Sequence, residues 1–147
     1  MRRELKGSMA FDASVLLELL LSTPGGALVR DKLLSGELFG YATELAVVEA
    51  RYVLCRKMGW EEAVRRVNQL VASGYVAVVD ISPLCEEAAK YKCGMAIALP
   101  DCFTLSLAKS LHVPALFARR ERELVRELSR KRLSVEVLFL EDYVRNG

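Results

Sequence analysis

The chain has 147 residues, 52% of them apolar and 27% charged, with a net charge of +2. That length suits one compact domain over residues 1–147, and that composition can bury a core, which excludes a disordered tail. A net charge so near zero excludes a uniformly basic nucleic-acid binder, so any nucleic-acid surface must come from local clustering.

In chain order, apolar runs alternate with helical stretches. Residues 8–11 read as a first strand, followed by a helix carrying Leu16, Leu17, Leu19 and Leu20. Residues 38–42, 75–79, 115–117 and 135–140 read as further strands. Helices are expected around 25–34, 44–58, 61–73, 84–93, 102–111 and 121–131. Pro24, Gly36, Gly59, Gly74, Pro83, Gly94 and Pro100 punctuate them. Nearly unbroken apolar strands alternating with helices point to a three-layer α/β/α fold with a central parallel sheet of four to five strands. In such sheets, ligands gather at the carboxyl ends of the strands.

Four carboxylates fall at such places. Asp12 follows the first strand and opens a helix, where it serves equally as an N-cap or as a metal ligand. Glu49 has Leu45, Ala46, Tyr52 and Val53 as its helical neighbours, all apolar, so it reads as a carboxylate within a buried stripe. Burying it without compensation costs several kcal/mol, as an order of magnitude. Glu44 lies in the first turn of the same helix, where the helix dipole accounts for it. Asp101 follows Pro100 and reads as an N-cap or a site residue. Glu121 heads the next helix, with Leu124 and Val125 below it, whereas Glu123 looks solvent-directed. Oxygen-only ligand sets suit Mg²⁺ or Mn²⁺ rather than zinc or copper. One or two such ions, about 3.5–4 Å apart where there are two, activate water against a phosphodiester.

The motifs Phe11-Asp12-Ala13-Ser14, Thr43 to Leu54 with Glu49 inside it, and Leu99-Pro100-Asp101-Cys102-Phe103 through Val113-Pro114-Ala115-Leu116 together resemble the PIN domain family, and in particular its toxin-type ribonucleases. The resemblance covers nearly the whole chain. It implies an acidic pocket binding Mg²⁺ or Mn²⁺, endonuclease activity on RNA, a homodimer and, in toxin-type members, an antitoxin that blocks the pocket. By matching position, Asp12, Glu49 and Asp101 are its metal ligands, and Ser14 is the hydroxyl residue that helps orient Asp12. The family carries a hydroxyl residue, any residue, then Asp after the fourth strand. This chain has Ala118-Arg119-Arg120 there, with Glu121 one place further on as the candidate fourth ligand.

Arg119 and Arg120 head a basic stretch that runs to Arg132. They are candidate RNA phosphate contacts; the competing reading is a solvated helix whose charges pair with Glu123 and Glu127. Trp60 and Tyr75 read as core residues rather than stacking platforms, and His112 as a capping or surface residue. Cys55, Cys85, Cys93 and Cys102 show no C-x-x-C spacing and read mostly as buried thiols. Met1 to Gly7 lacks the apolar core of a signal peptide and no run is long enough to span a bilayer, so a cytoplasmic location and no membrane partner are expected. The main alternative is a catalytically decayed PIN-fold protein that binds RNA or a protein partner, which Arg120 in the acidic register favours. A phospho-accepting domain built on Asp80 lacks the paired acids and the lysine it needs. A nucleotide-binding fold is disfavoured because Gly25-Gly26 follows no strand.

Overall fold

Five apolar runs pair side by side in the computed structural model, which describes residues 3–144. They are β1 (Gly7–Phe11), β2 (Leu38–Thr43), β3 (Val76–Val79), β4 (Ala115–Phe117) and β5 (Val137–Phe139). Every neighbouring pair is parallel. The N-terminal start of the expected segment 1–7 and the tail of the expected 1–147 domain, residues 1–2 and 145–147, lie outside the described residues.

Parallel strands cannot be joined by hairpins, so helices carry each connection. These are α1 (Ala13–Leu20) and α2 (Pro24–Ser35), then α3 (Glu44–Met58) and α4 (Trp60–Ser73). After β3 come α5 (Cys85–Gly94) and α6 (Leu99–Leu111), and α7 (Arg122–Arg130) links β4 to β5. Successive strand side chains point to opposite faces. Accordingly Met9 and Phe11 join one buried cluster with Leu16, Leu54 and Leu116, while Ala10 joins the other with Leu105, Phe117 and Phe139. Both faces are covered, which is why the strands read as continuous apolar runs and the architecture is α/β/α.

The strand order is β3-β2-β1-β4-β5. The chain builds outward from β1 to β3, then returns to the other side of β1 to place β4. In a sheet of this order the crevice for a ligand falls outside the carboxyl ends of β1 and β4, where the connections part in opposite directions. Asp12 leaves one of these strands and the segment Ala118 to Glu121 leaves the other.

Several expectations are corrected. The last strand shrinks to Val137–Phe139, because Leu140–Tyr143 turns into a 3-10 segment. Trp60 and Tyr75 are exposed, at 59% and 40%, rather than in the core, since one heads α4 and the other precedes the edge strand β3, which no further strand covers. Only Cys102 is buried; Cys85 and Cys93 are exposed on α5, whose packed face is narrow, with Ala88 its buried residue. His112 caps α6 in the left-handed conformation, as a surface residue. Among the described residues no single helix is long and apolar enough to cross a membrane; α1 and α2 pass only as a pair, bent by 92°.

One glycine matters for the cleft. Gly40 pairs with Met9 on β1, and a Cβ there would lie 2.4 Å from the ring of Phe11, the residue that precedes Asp12. Overpacking of this kind costs about 1–3 kcal/mol. Gly40→Ala should therefore destabilise the protein by roughly that amount in urea unfolding, and a variant as stable as the parent would show that the Phe11 ring has room to move.

Candidate active site

Asp12 is 7% exposed, with an extended backbone that caps α1. Its amide donates to the Leu116 carbonyl at 2.9 Å, which fixes its place against β4. One carboxylate oxygen accepts from the Ser14 amide at 3.1 Å, and the other from the Thr104 hydroxyl at 3.1 Å. The capping role is therefore real and occupies one oxygen only.

Glu49 stands on α3, whose start is capped by Thr43 accepting from the Ala46 amide at 3.0 Å. The packed face of α3 is Ala46, Val47, Ala50 and Leu54, so Glu49 lies at its edge and is half-buried. The stripe inferred from sequence is thus displaced by about one residue, and Tyr52 is exposed. Burial raises the pKa of Glu49, and the charges of Asp12 and Glu121 raise it further.

Asp101 is the third residue of α6, not its N-cap, because Ala98 takes that place and Pro100 sits inside the first turn. Its pKa rises from the ordinary aspartate value of 3.8 to about 7, through burial first and then through Asp12, Glu121 and Glu49. Glu121 takes the N-cap position of α7 with an extended backbone, is exposed, and makes no side-chain bond to the helix.

The fold thus brings the four acids within electrostatic reach of one another, from the exits of β1 and β4, the second turn of α3 and the start of α6. Among the described residues no lysine or arginine forms a salt bridge with any of them. Nor is any group of three His, Cys, Asp or Glu side chains among the described residues spaced to hold a metal ion as it stands. The acids are near enough to perturb one another, although no three of them are grouped to hold an ion. Their chemistry fits a hard divalent cation: oxygen donors only, in mutual repulsion that no ion pair among the described residues relieves.

The supporting residues differ from expectation. The Ser14 hydroxyl does not orient Asp12; it accepts from the Ala118 amide at 3.0 Å, and the Ser14 backbone amide holds the aspartate instead. Thr104, which sequence reasoning missed, takes over the orienting role with its buried hydroxyl. Its signal was a hydroxyl three residues after Asp101, hence on the same helical face, in an otherwise apolar run. Arg119 is exposed, but Arg120 is engaged by Asp142 and lies 4.7 Å over the Phe139 ring. Glu127 pairs with Arg130 of the same helix at 3.5 Å, as the solvated-helix reading expected, but from a buried position. It is 3% exposed, and accepts from the Ala96 amide at 3.1 Å in the turn that leads to α6. The buried face of α7 runs through Leu124 and Glu127, which leaves Val125 outside.

A family model for the PIN domain matches residues 9–126, a span that contains all four acids. Among solved structures, DNA-bound VapBC from Salmonella typhimurium superposes with a TM-score of 0.67 at 12% identity, covering 90% of this chain and 98% of that one. VapBC2 from Rickettsia felis, bound to a promoter DNA fragment, gives 0.65 at 12% identity over 89% of this chain and 97% of that one. A toxin–antitoxin complex from Klebsiella pneumoniae gives 0.59 at 17% identity over 79% and 89%. At these identities the likeness carries the fold. No curated protein sequence matches the chain.

The raised pKa of Asp101 has a stability consequence with a definite sign. The folded chain holds this proton more tightly than the unfolded chain, so the unfolded state binds fewer protons across the window between the two values. Stability of the metal-free protein should therefore fall as pH rises from about 4 to about 7. Melting in EDTA across that range checks it, with Asp101→Asn expected to flatten the profile and to be the more stable form at neutral pH. A variant that keeps the parental slope would assign the effect to other groups.

Proposed function

Since the chain belongs to the PIN domain family, we propose that it is a metal-dependent endoribonuclease, the toxin of a toxin–antitoxin pair. The observation that carries this reading is the convergence of Asp12, Glu49, Asp101 and Glu121 at one cleft, without a protein cation among the described residues to offset them. Keeping like charges together serves no purpose for stability, and it suits a site that recruits positive charge from outside.

Mg²⁺ or Mn²⁺, held by these four carboxylates, would supply a water of lowered pKa and offset charge on a phosphodiester. The protein's part is positional. Asp12 is fixed by the Ser14 amide and the Thr104 hydroxyl, with lone pairs remaining for a ligand. Asp101 is carried by a helix whose residues Cys102 to Ala108 are all buried, so its backbone has little freedom. Glu49 and Glu121 have the longer side chains and close the remaining distance by rotation. Arg119, exposed beside Glu121, is placed to meet an RNA phosphate approaching a negative pocket. A cytoplasmic site of action is part of the same proposal.

The partner side of the proposal rests on the toxin–antitoxin complexes among the structural neighbours and on exposed apolar side chains. Leu34, Val48, Tyr52, Trp60 and Val71 on α2, α3 and α4 give an antitoxin, or a second copy in a homodimer, apolar surface to cover. A second reading is favoured by the wide spacing of the acids among the described residues and by the engagement of Arg120. In it the pocket has decayed, and the protein binds RNA or a protein without cleaving.

Cleavage of labelled single-stranded and structured RNA with Mn²⁺, Mg²⁺ or EDTA separates the two. The first reading expects cleavage that needs the metal and falls to the EDTA background in both Asp12→Ala and Glu49→Ala. Intact RNA under every condition, together with no thermal stabilisation by Mn²⁺, would establish the second. For the toxin role, expression without a partner should arrest growth and Asp12→Ala should relieve the arrest. Normal growth with wild-type protein accumulating would refute it.

A further inference from the structure

The loop that delivers Glu121 is fastened from two sides. The Ala118 amide donates to the Ser14 hydroxyl, and the Ala118 carbonyl accepts from the Glu141 amide at 3.0 Å. The Arg120 amide donates to the Glu141 carboxylate at 2.5 Å. The Arg120 guanidinium then forks onto both oxygens of Asp142, one of them at 2.6 Å, and lies 4.7 Å over the Phe139 ring. Amide and side chain of one residue are thus both held by the end of β5 and the 3-10 segment Leu140–Tyr143. Its neighbour Glu121 has no side-chain bond to α7, yet its charge reaches Asp101 and Glu49.

We propose that Arg120 is a positioning residue: by locking onto Glu141, Asp142 and Phe139 it aims Glu121 into the acidic cleft and so sets the affinity of that cleft for a divalent cation. The inference rests on reading the cleft as a metal site. The ion pair is an unpromising stability device, since the Arg120 side chain is 48% exposed and exposed pairs contribute little to folding. What a bidentate fork supplies is direction, because two parallel N–H donors fix the plane of the guanidinium. The stacked Phe139 ring restricts it further. With its amide also committed, Arg120 is restrained on both sides of its Cα, by the peptide unit that precedes it and by its own side chain, and this is the residue from which Glu121 departs. Residues that hold metal ligands in place without touching the ion behave in this way: their loss is felt in metal affinity rather than in folding.

The test is Mn²⁺ binding to the purified full chain, followed by the electron paramagnetic resonance of free Mn²⁺, beside thermal melts of the same metal-free samples. Arg120→Ala should weaken Mn²⁺ binding about tenfold while leaving the melting temperature near the parental value. Glu121→Gln should weaken binding to a similar degree. The double variant should bind no more weakly than Glu121→Gln alone, because Arg120 acts only through Glu121. Asp142→Asn, which weakens the fork and keeps the arginine, should give a smaller loss of the same kind and stands in if Arg120→Ala does not fold. Losses that add in the double variant, or parental Mn²⁺ affinity in both Arg120→Ala and Asp142→Asn, would overturn the inference and leave the metal reading standing. A wild-type chain that binds no Mn²⁺ would overturn both.

Discussion

Carboxylates held beside one another away from bulk water repel, and each raises the pKa of the next. The cleft of this protein is organised around that cost. Asp101 bears it most, since burial and three neighbouring acids act on it together. The rest of the molecule prevents the acids from separating. Asp12 cannot leave, because its amide is tied to β4 and both its oxygens accept hydrogen bonds. Asp101 cannot leave, because α6 is packed around from Cys102 to Ala108. A parallel sheet with order β3-β2-β1-β4-β5 turns these local restraints into one site, since it brings the exits of β1 and β4 side by side.

The restraints are redundant in a telling way. Thr104 sits on the helix that carries Asp101 and holds Asp12, so two acids distant in sequence are linked through one buried hydroxyl. Ser14 follows Asp12 by two residues and holds the Ala118 amide, so the loop bearing Glu121 is linked to the turn bearing Asp12. Glu127, inside α7, holds the Ala96 amide just before α6 begins. Each strap joins the support of one acid to that of another, and none of them places a cation among the acids. The straps restrain the backbones that carry the acids without neutralising them, which is the support a preorganised charged site needs.

Much of this was legible in the sequence, and the reasons for success and failure are physical. Strand positions followed from continuous apolar runs, because a sheet covered on both faces buries successive residues of its inner strands, as Met9, Ala10 and Phe11 show. Asp12 and Asp101 stood out only in combination, because a helix start accounts for each acid singly, by capping or by the helix dipole. Glu49 stood out for a partly mistaken reason: periodicity alone does not say which edge of an apolar face is covered, and Tyr52 on the supposed stripe is exposed. Thr104 gives no local signal because a helical hydroxyl ordinarily bonds back to the preceding turn, as Ser106 does to the Cys102 carbonyl and as Thr104 itself does to the Pro100 carbonyl at 3.3 Å, beside its bond to Asp12. Glu127 was hidden by its charged neighbours, since a run of Arg and Glu reads as a solvated face whichever residue turns inward. The engagement of Arg120 depends on a contact across 22 positions with Asp142, which no local pattern reports.

The four acids are therefore not equivalent, and the difference bears on the proposed chemistry. Asp12 and Asp101 are short side chains on strongly packed supports, and they set a fixed edge of the cleft. Glu49 is half-buried on a helix edge, and Glu121 is exposed on a loop held by the segment that follows the neighbouring edge strand, β5. A site with two rigid and two adjustable carboxylates can stay open while no ion is bound, which limits the repulsion it stores. On the proposed reading, closing the cleft brings the adjustable pair toward a cation that cancels that repulsion, so the wide spacing of the acids and the reading as a metal site are compatible rather than opposed.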